Sequence, residues 1–250
     1  MKKIILLMIL FINTNLLFSQ EVFYLHAVKI AESEVERFEM IQMDYVTGLA
    51  QDAKNNGEIK GWALLKPIDN VGEMTEQEYN YVWVHVFENV DQMLKGNQWW
   101  MRSKEKYGID PSVLYSMGDL TKSGYYYWKT EKQIETADPG KYIIMNWATP
   151  KDLNKAISLA DDISEGFKKS MKKEGMTEWG VASKVLPQGE DQSTIFFWDI
   201  YDSMKGAFKH MMNQGVLETI NPDDFQEFFE NMPNGWDGRG IFEIMTGTSN

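Results

Sequence analysis

The order of strand-like and helix-like segments in residues 22–130 recurs in residues 142–246. Each copy predicts a strand, a helix, two strands, a second helix and a final strand. The predicted strands are 22–30, 59–66, 79–87 and 125–130 in the first copy, and 142–148, 178–186, 194–201 and 240–246 in the second. The longest predicted helices are 33–55 and 151–174, and shorter ones begin near Val90 and Ser203.

Aromatic residues keep a nearly constant separation between the two copies. The pairs are Trp62 with Trp179, Trp83 with Trp198, and Tyr126 with Phe242, which are 115 to 117 positions apart. A chance similarity would not hold this register over several strands. The spacing therefore supports an internal repeat.

Both faces of the strand predicted at 79–87 are apolar. Valine occupies positions 82, 84 and 86, and the intervening positions carry large rings: Tyr81, Trp83, His85 and Phe87. Successive strand residues point to opposite faces, so both faces of this strand are expected to be buried. The two helices of one copy cover only one sheet face. The other face is therefore expected to pack on a second sheet.

This order of elements resembles that of the dimeric α/β-barrel superfamily, in which two ferredoxin-like units pack sheet against sheet. The resemblance implies an α+β fold of two βαββαβ units with antiparallel sheets, at residues 20–135 and 136–250. Both units lie in one chain, so the barrel is expected to close within a monomer. The alternative is a homodimer in which each half pairs with a second chain.

Small residues suggest which face of each sheet lies under the helices. Gly61 and Ala63 share one face of their strand, as Gly180 and Ala182 do, and helices pack most closely over small side chains. The larger face is then expected to line a cavity inside the barrel. The predicted ligand-binding lining comprises Tyr24, His26, Trp62, Trp83, His85, Trp179 and Trp198, with Lys66 at the end of a barrel strand. The alternative is that these rings form only a core.

Two of the three histidines, His26 and His85, are expected on neighbouring strands of a sheet with the order 4-1-3-2. A buried imidazole needs a hydrogen-bond partner, so two of them beside one cavity suggest a catalytic site. His210 lies in a helical segment, where a surface or packing role is expected.

Asn146 interrupts an otherwise apolar predicted strand and is a further candidate for ligand binding. Its position resembles that of an Asn in the haem-degrading monooxygenases of the superfamily. Those enzymes also need a Trp and a His at a fixed spacing on the second helix, and the segment around Ala207 lacks this pair. No cofactor is therefore predicted. No metal site is predicted either, because the chain lacks Cys and the common metal-binding motifs.

Residues 1–19 predict a signal peptide, because Lys2 and Lys3 precede an apolar run that is shorter than a membrane span. The expected location is the periplasm or the extracellular space, with no membrane anchor after cleavage. Cleavage would take Lys plus Arg from 25 to 23 against 37 Asp plus Glu, a formal charge of −14. Such a charge repels nucleic acid and anionic membranes.

These features predict an exported protein that holds a small apolar or aromatic molecule in the barrel. The alternative is an enzyme without a cofactor, similar to the monooxygenases and isomerases of the superfamily, in which His85 or His26 acts as a general base. A third possibility is a barrel filled by its own side chains.

Overall fold

Eight antiparallel strands form one closed barrel in the computed structural model, which describes residues 20–68, 79–95, 98–115 and 122–249. The strands are β1 (Val22–Val28), β2 (Gly61–Pro67), β3 (Tyr81–Phe87), β4 (Ser123–Glu135), β5 (Tyr142–Ala148), β6 (Met176–Leu186), β7 (Ile195–Tyr201) and β8 (Gly238–Gly247). The predicted signal peptide lies outside the described residues. The prediction of an α+β barrel is confirmed.

Around the barrel the strands follow the order β4-β1-β3-β2 and then β8-β5-β7-β6. Antiparallel pairing of β2 with β8 and of β4 with β6 joins the two halves. Each half has the predicted 4-1-3-2 order. The barrel therefore closes within the chain, without strands from a second copy.

The helices lie outside the barrel in two layers. The first half carries α1 (Val35–Ile41), α2 (Thr47–Asn55), α3 (Val90–Leu94), α4 (Ser103–Tyr107) and α5 (Pro111–Tyr115), and the second half carries α6 (Leu153–Ser170), α7 (Met204–Met211) and α8 (Pro222–Glu230). A π-helical segment at Gln42–Val46 joins α1 to α2, so the helix predicted at 33–55 is one run with a local change of pitch. None of the helices in the described part of the chain has the length and apolar character to cross a bilayer.

Local side chains determine where the helices of the second half begin. Asp152 accepts a hydrogen bond from the Lys155 N–H, and Ser203 accepts one from the Gly206 N–H. Each satisfies a backbone donor that the first helical turn leaves free. After α6, Gly175 turns the chain with φ +74°, a left-handed conformation that glycine adopts without strain. The buried residues of α6 and α7 then pack over the outer face of the second half.

The barrel interior is filled by side chains. Its buried residues are Phe23, Leu25, Ala27, Leu65, Val82, Trp128, Ile143, Met145, Ala182, Phe196, Trp198 and Phe242. Among the predicted lining residues, Trp198 belongs to this cluster. Trp62 and Trp83 instead pack under the helices of the first half, and Trp179 packs under those of the second. The prediction of an aromatic cavity inside the barrel is therefore wrong.

The first cause of this error is the small residues, which face the interior and not the helices. A Cβ atom on Gly180 would lie 2.0 Å from Cζ2 of Trp198, so the indole occupies the space that a side chain would need. Ala63 of β2 likewise packs against the interior cluster. In a narrow barrel, small residues on one strand accommodate large rings from its neighbour.

The second cause of this error is a shift of one residue in the comparison of the two halves. His26 pairs with Trp83 and Asn146 pairs with Phe197, at matching positions of β1 and β5. Trp83 therefore corresponds to Phe197 and not to Trp198. Because neighbouring strand residues face opposite sides, Trp198 lies inside the barrel while Trp83 lies outside.

One end of the barrel holds a partly buried carboxyl group. Glu178 Oε1 accepts hydrogen bonds from Nε1 of Trp198 at 2.6 Å and from Nε2 of Gln133 at 2.9 Å. Burial raises the pKa of Glu178 to about 7, and the charges of Glu135 and Glu21 act in the same direction. This carboxyl group is thus protonated in much of the folded protein near neutral pH.

Glu178→Gln is expected to stabilise the protein increasingly as the pH rises from 4.5 to 7. Because the folded pKa lies above the ordinary value of 4.5, the folded state retains a proton that the unfolded chain releases, and stability falls across this window. Glutamine stays neutral and still accepts both hydrogen bonds, so the variant should avoid a loss of up to about 3 kcal/mol. Melting temperatures of both proteins from pH 4 to 8 measure this, and a difference that does not change with pH would contradict it.

Candidate functional site

A cavity of about 40 Å³ lies between the outer sheet face of the second half and its helices. A buried water needs roughly 10–15 Å³ on this measure, so the cavity has room for a few waters. Its apolar wall consists of Ile163, Phe167, Trp179, Phe197, Leu217, Ile220, Phe225, Phe228, Phe229 and Trp236. Three of these rings belong to α8, so a guest with several rings needs α8 to shift.

Three polar side chains, Asn146, Asp199 and His210, also line this cavity. Asn146 Nδ2 donates a hydrogen bond to Asp199 Oδ2 at 2.7 Å. His210 Nε2 lies 3.7 Å from the same oxygen, and His210 Nδ1 lies 2.8 Å from the Tyr201 hydroxyl. The four side chains form one connected group, the Asn146–Tyr201 chain, and each is at most 5% exposed.

Burial governs the protonation states of the side chains in the Asn146–Tyr201 chain. It lowers the pKa of His210, although the Asp199 carboxylate acts in the opposite direction. It also raises the pKa of Tyr201 above its ordinary value. The imidazole and the phenol are therefore neutral near pH 7. In this arrangement the Tyr201 hydroxyl donates its proton to His210 Nδ1. His210 then carries its own proton on Nε2, on the side of Asp199.

Arg239 brings a guanidinium group to the same corner. It lies opposite Asn146 in the pairing of β5 with β8, and its Cζ is 5.7 Å from the centroid of the Trp236 ring. Asn146 Oδ1 and Arg239 Nε are both buried and have no hydrogen-bond partner among the described residues. Buried polar atoms cost free energy until a water or a ligand satisfies them. This corner therefore suits a polar guest.

Of the residues predicted to bind a ligand, Asn146 and Trp179 line this cavity. Lys66 instead pairs with Glu39, Nζ to Oε1 at 2.7 Å, and thereby ties β2 to α1. Its contact is structural, because Glu39 also accepts a hydrogen bond from the Tyr81 hydroxyl.

His26 and His85 lie near each other on the outer face of the first half. His26 stacks on Tyr125 with 4.0 Å between ring centroids, and His85 stacks on Tyr24 with 4.5 Å. His26 Nε2 is 2.7 Å from Ser123 Oγ. Burial lowers the pKa of His85 to about 3 and that of His26 to about 4, so both imidazoles are neutral at pH 7. Their catalytic role stays a prediction.

The two outer faces carry polar pairs at matching positions. His26 and Asn146 are the fifth residues of β1 and β5, and His85 and Asp199 are the fifth residues of β3 and β7. The first half thus has two imidazoles where the second has an amide and a carboxylate.

Sequence reasoning overlooked Asp199 and Tyr201, and it gave His210 only a surface or packing role. Asp199 interrupts an apolar strand, as Asn146 does, and this signal alone could have identified it. His210 is buried because α7 docks on the sheet, and local sequence spacing does not show which side of a helix docks.

No protein-family model matches the sequence, and no curated protein matches it. Solved structures do share its fold. A proposed monooxygenase from Lactobacillus acidophilus superposes with a TM-score of 0.56 at 14% identity, over 92% of this chain and 96% of that one. A proposed monooxygenase from Fusobacterium nucleatum gives 0.54 at 11% identity, over 92% and 95%. An anthrone oxidase-like protein gives 0.52 at 8% identity, over 92% and 93%.

These findings overturn the first functional prediction, a small-molecule carrier with its ligand inside the barrel. The barrel is filled by side chains. The structural neighbours are described as monooxygenases or as oxidase-like, and none of these three is described as a carrier. At these identities the likeness establishes the fold alone, an α+β barrel of eight antiparallel strands with helices on the outside.

Proposed function

We propose that the protein is a monooxygenase that acts on a small activated organic substrate with O₂, without a metal or organic cofactor. The observation that carries the proposal is the buried Asn146–Tyr201 chain, which borders an aromatic-walled cavity. Buried ionisable groups that converge on a cavity are typical of functional sites. The activities named for the structural neighbours support the same reaction class.

Asp199 is the group proposed to take a proton from the substrate. Its carboxylate lines the cavity and is oriented by the hydrogen bond from Asn146. His210 is a positioning residue, because its Nδ1 is occupied by the Tyr201 hydroxyl. A carboxylate therefore takes the role that the sequence analysis gave to a histidine. The aromatic wall surrounds the resulting carbanion with apolar side chains.

The proposed reaction of an acidic CH₂ group with O₂ balances in atoms and electrons. Asp199 takes one proton, the carbanion reduces O₂, and a carbon–oxygen bond forms between the two. The proton returns to the outer oxygen and completes a hydroperoxide. Loss of water from the hydroperoxide leaves a carbonyl group, so CH₂ and O₂ become C=O and H₂O. The substrate supplies all four electrons, and no further reductant is needed.

Haem does not suit this site. Haem iron is often held by an axial imidazole, and His210 is the only one of the three histidines in this half. Its Nδ1 is bonded to Tyr201 and its Nε2 faces Asp199. The proposed reaction accordingly has no haem step.

Oxygen uptake tests the proposal. The purified protein is mixed with anthrone, an arene with an acidic CH₂ group, in an oxygen electrode. We expect faster uptake than with heat-inactivated protein, which measures spontaneous oxidation, and one ¹⁸O atom from ¹⁸O₂ in the product carbonyl. Uptake equal to that of the inactivated control, both with anthrone and with the smaller 1,3-indanedione, which also carries an acidic CH₂ group, would reject the monooxygenase proposal.

We further infer that residues 20–135 and 136–250 are two ferredoxin-like units of a monomer. Each half of the barrel has the same strand order, and Trp62 pairs with His85 as Trp179 pairs with Asp199. Export belongs to the proposal as well, and its support is the apolar run after Lys2 and Lys3.

A further inference from the structure

Lys184 lies at the opposite end of the barrel from Glu178, on the inner side of β6. Its Nζ is 4.2 Å from the centroid of the Trp128 ring and 5.2 Å from that of the Tyr126 ring. Trp128 is fully buried, whereas Lys184 is partly exposed. The amine therefore rests on an aromatic floor and is open to solvent on one side.

No carboxylate neutralises this amine in the part of the chain that the structure describes. Other half-buried lysines do have one: Lys66 pairs with Glu39, and Lys209 pairs with Glu174. The two rings attract the ammonium form but accept none of its protons in a conventional hydrogen bond. Burial lowers the pKa of Lys184 to about 8, and no nearby charge opposes it.

The aromatic floor also carries an unused donor. Trp128 Nε1 is buried and has no acceptor among the residues described. A carbonyl oxygen attached to the Lys184 nitrogen would bring an acceptor to this floor and would remove a charge that burial disfavours. An uncharged amide suits this position better than an ammonium group does.

We propose that Lys184 is a nucleophilic amine and the preferred site of Nζ-acylation by small acyl phosphates. The unprotonated amine attacks the acyl carbon, a C–N bond forms, and the bond from that carbon to the phosphate oxygen breaks. Phosphate leaves, and the nitrogen gives its extra proton to water. Desolvation by apolar neighbours is a general way to make a lysine nucleophilic at neutral pH.

Acetyl phosphate tests this proposal on the intact protein at pH 7, with mass spectrometry of the peptides over time. We expect Lys184 to be acetylated at least tenfold faster than Lys172 and Lys173, whose side chains are 82% and 86% exposed. With a pKa of about 8, roughly one tenth of the amine is unprotonated at pH 7, against about one in three thousand for an ordinary lysine.

Lys184→Arg keeps a cation over the rings and should remove the fast reaction, while the control Lys172→Arg should leave it unchanged. The rate at Lys184 should level off above pH 8, whereas that of exposed lysines should continue to rise towards pH 10. Acetylation ordered by exposure, with Lys172 and Lys173 ahead of Lys184, would overturn the proposal. A rate at Lys184 that keeps rising to pH 10 would overturn it too.

Discussion

Asp199→Asn is expected to lower the kcat of oxygen uptake by about 10²–10⁴-fold, the usual contribution of a general base. Asparagine has nearly the same size and still accepts the hydrogen bond from Asn146, so the cavity and KM should change little. The variant lacks the group that takes the substrate proton. Steady-state oxygen uptake at several anthrone concentrations, from pH 6 to 9, measures both constants.

His85→Gln is the matched control, because His85 has the same strand position in the first half as Asp199 has in the second. It should leave kcat within about twofold of the parent protein. Circular dichroism spectra and melting curves establish that both variants are folded. Loss of activity in His85→Gln together with normal activity in Asp199→Asn would move the catalytic site to the first half, as the sequence analysis predicted.

Trp128→Ala is expected to lower the free energy of unfolding by about 3–5 kcal/mol, the usual effect of deleting a buried ring. Trp128 is fully buried in the barrel interior, and its ring centroid is 5.3 Å from that of Phe196. A closed barrel cannot collapse easily into the vacated space, so most of the cavity should remain. At about 2–4 °C per kcal/mol for a chain of this size, the melting temperature should fall by roughly 6–20 °C.

Leu186→Ala is a suitable control on a neighbouring strand, because Leu186 is 55% exposed. It should change the free energy of unfolding by less than about 0.5 kcal/mol. Urea unfolding of both variants provides the measurement. A loss below about 1 kcal/mol for Trp128→Ala would mean that the interior is loosely packed around this ring.

The strands were predictable because the alternation of large and small side chains around Trp62 is visible within eight residues of sequence. Alternation states which residues share a face, but not whether that face is inside or outside the barrel. The inward direction depends on contacts between strands, such as the indole of Trp198 over Gly180. Those contacts join residues on different strands, such as the paired Gly180 and Trp198, and the spacing of residues within one strand does not encode them.

The site was predictable only where one residue contradicts its surroundings. Asn146 is polar in an apolar strand, and it was identified for that reason. Asp199 has the same property, and it becomes recognisable as a partner once β5 and β7 are paired. The contact of His210 with Tyr201 needs the docking of α7 as well. Tertiary packing therefore decides which polar residues meet.

Each of the eight described strands has a hydrogen-bonded neighbour on both sides. An open sheet presents free N–H and C=O groups along its two outermost strands, where another chain can add a strand. The closed ring removes that route for the strands described. Another protein molecule therefore cannot add a strand to this barrel as it stands, and growth of the described strands into an extended sheet first requires the ring to break.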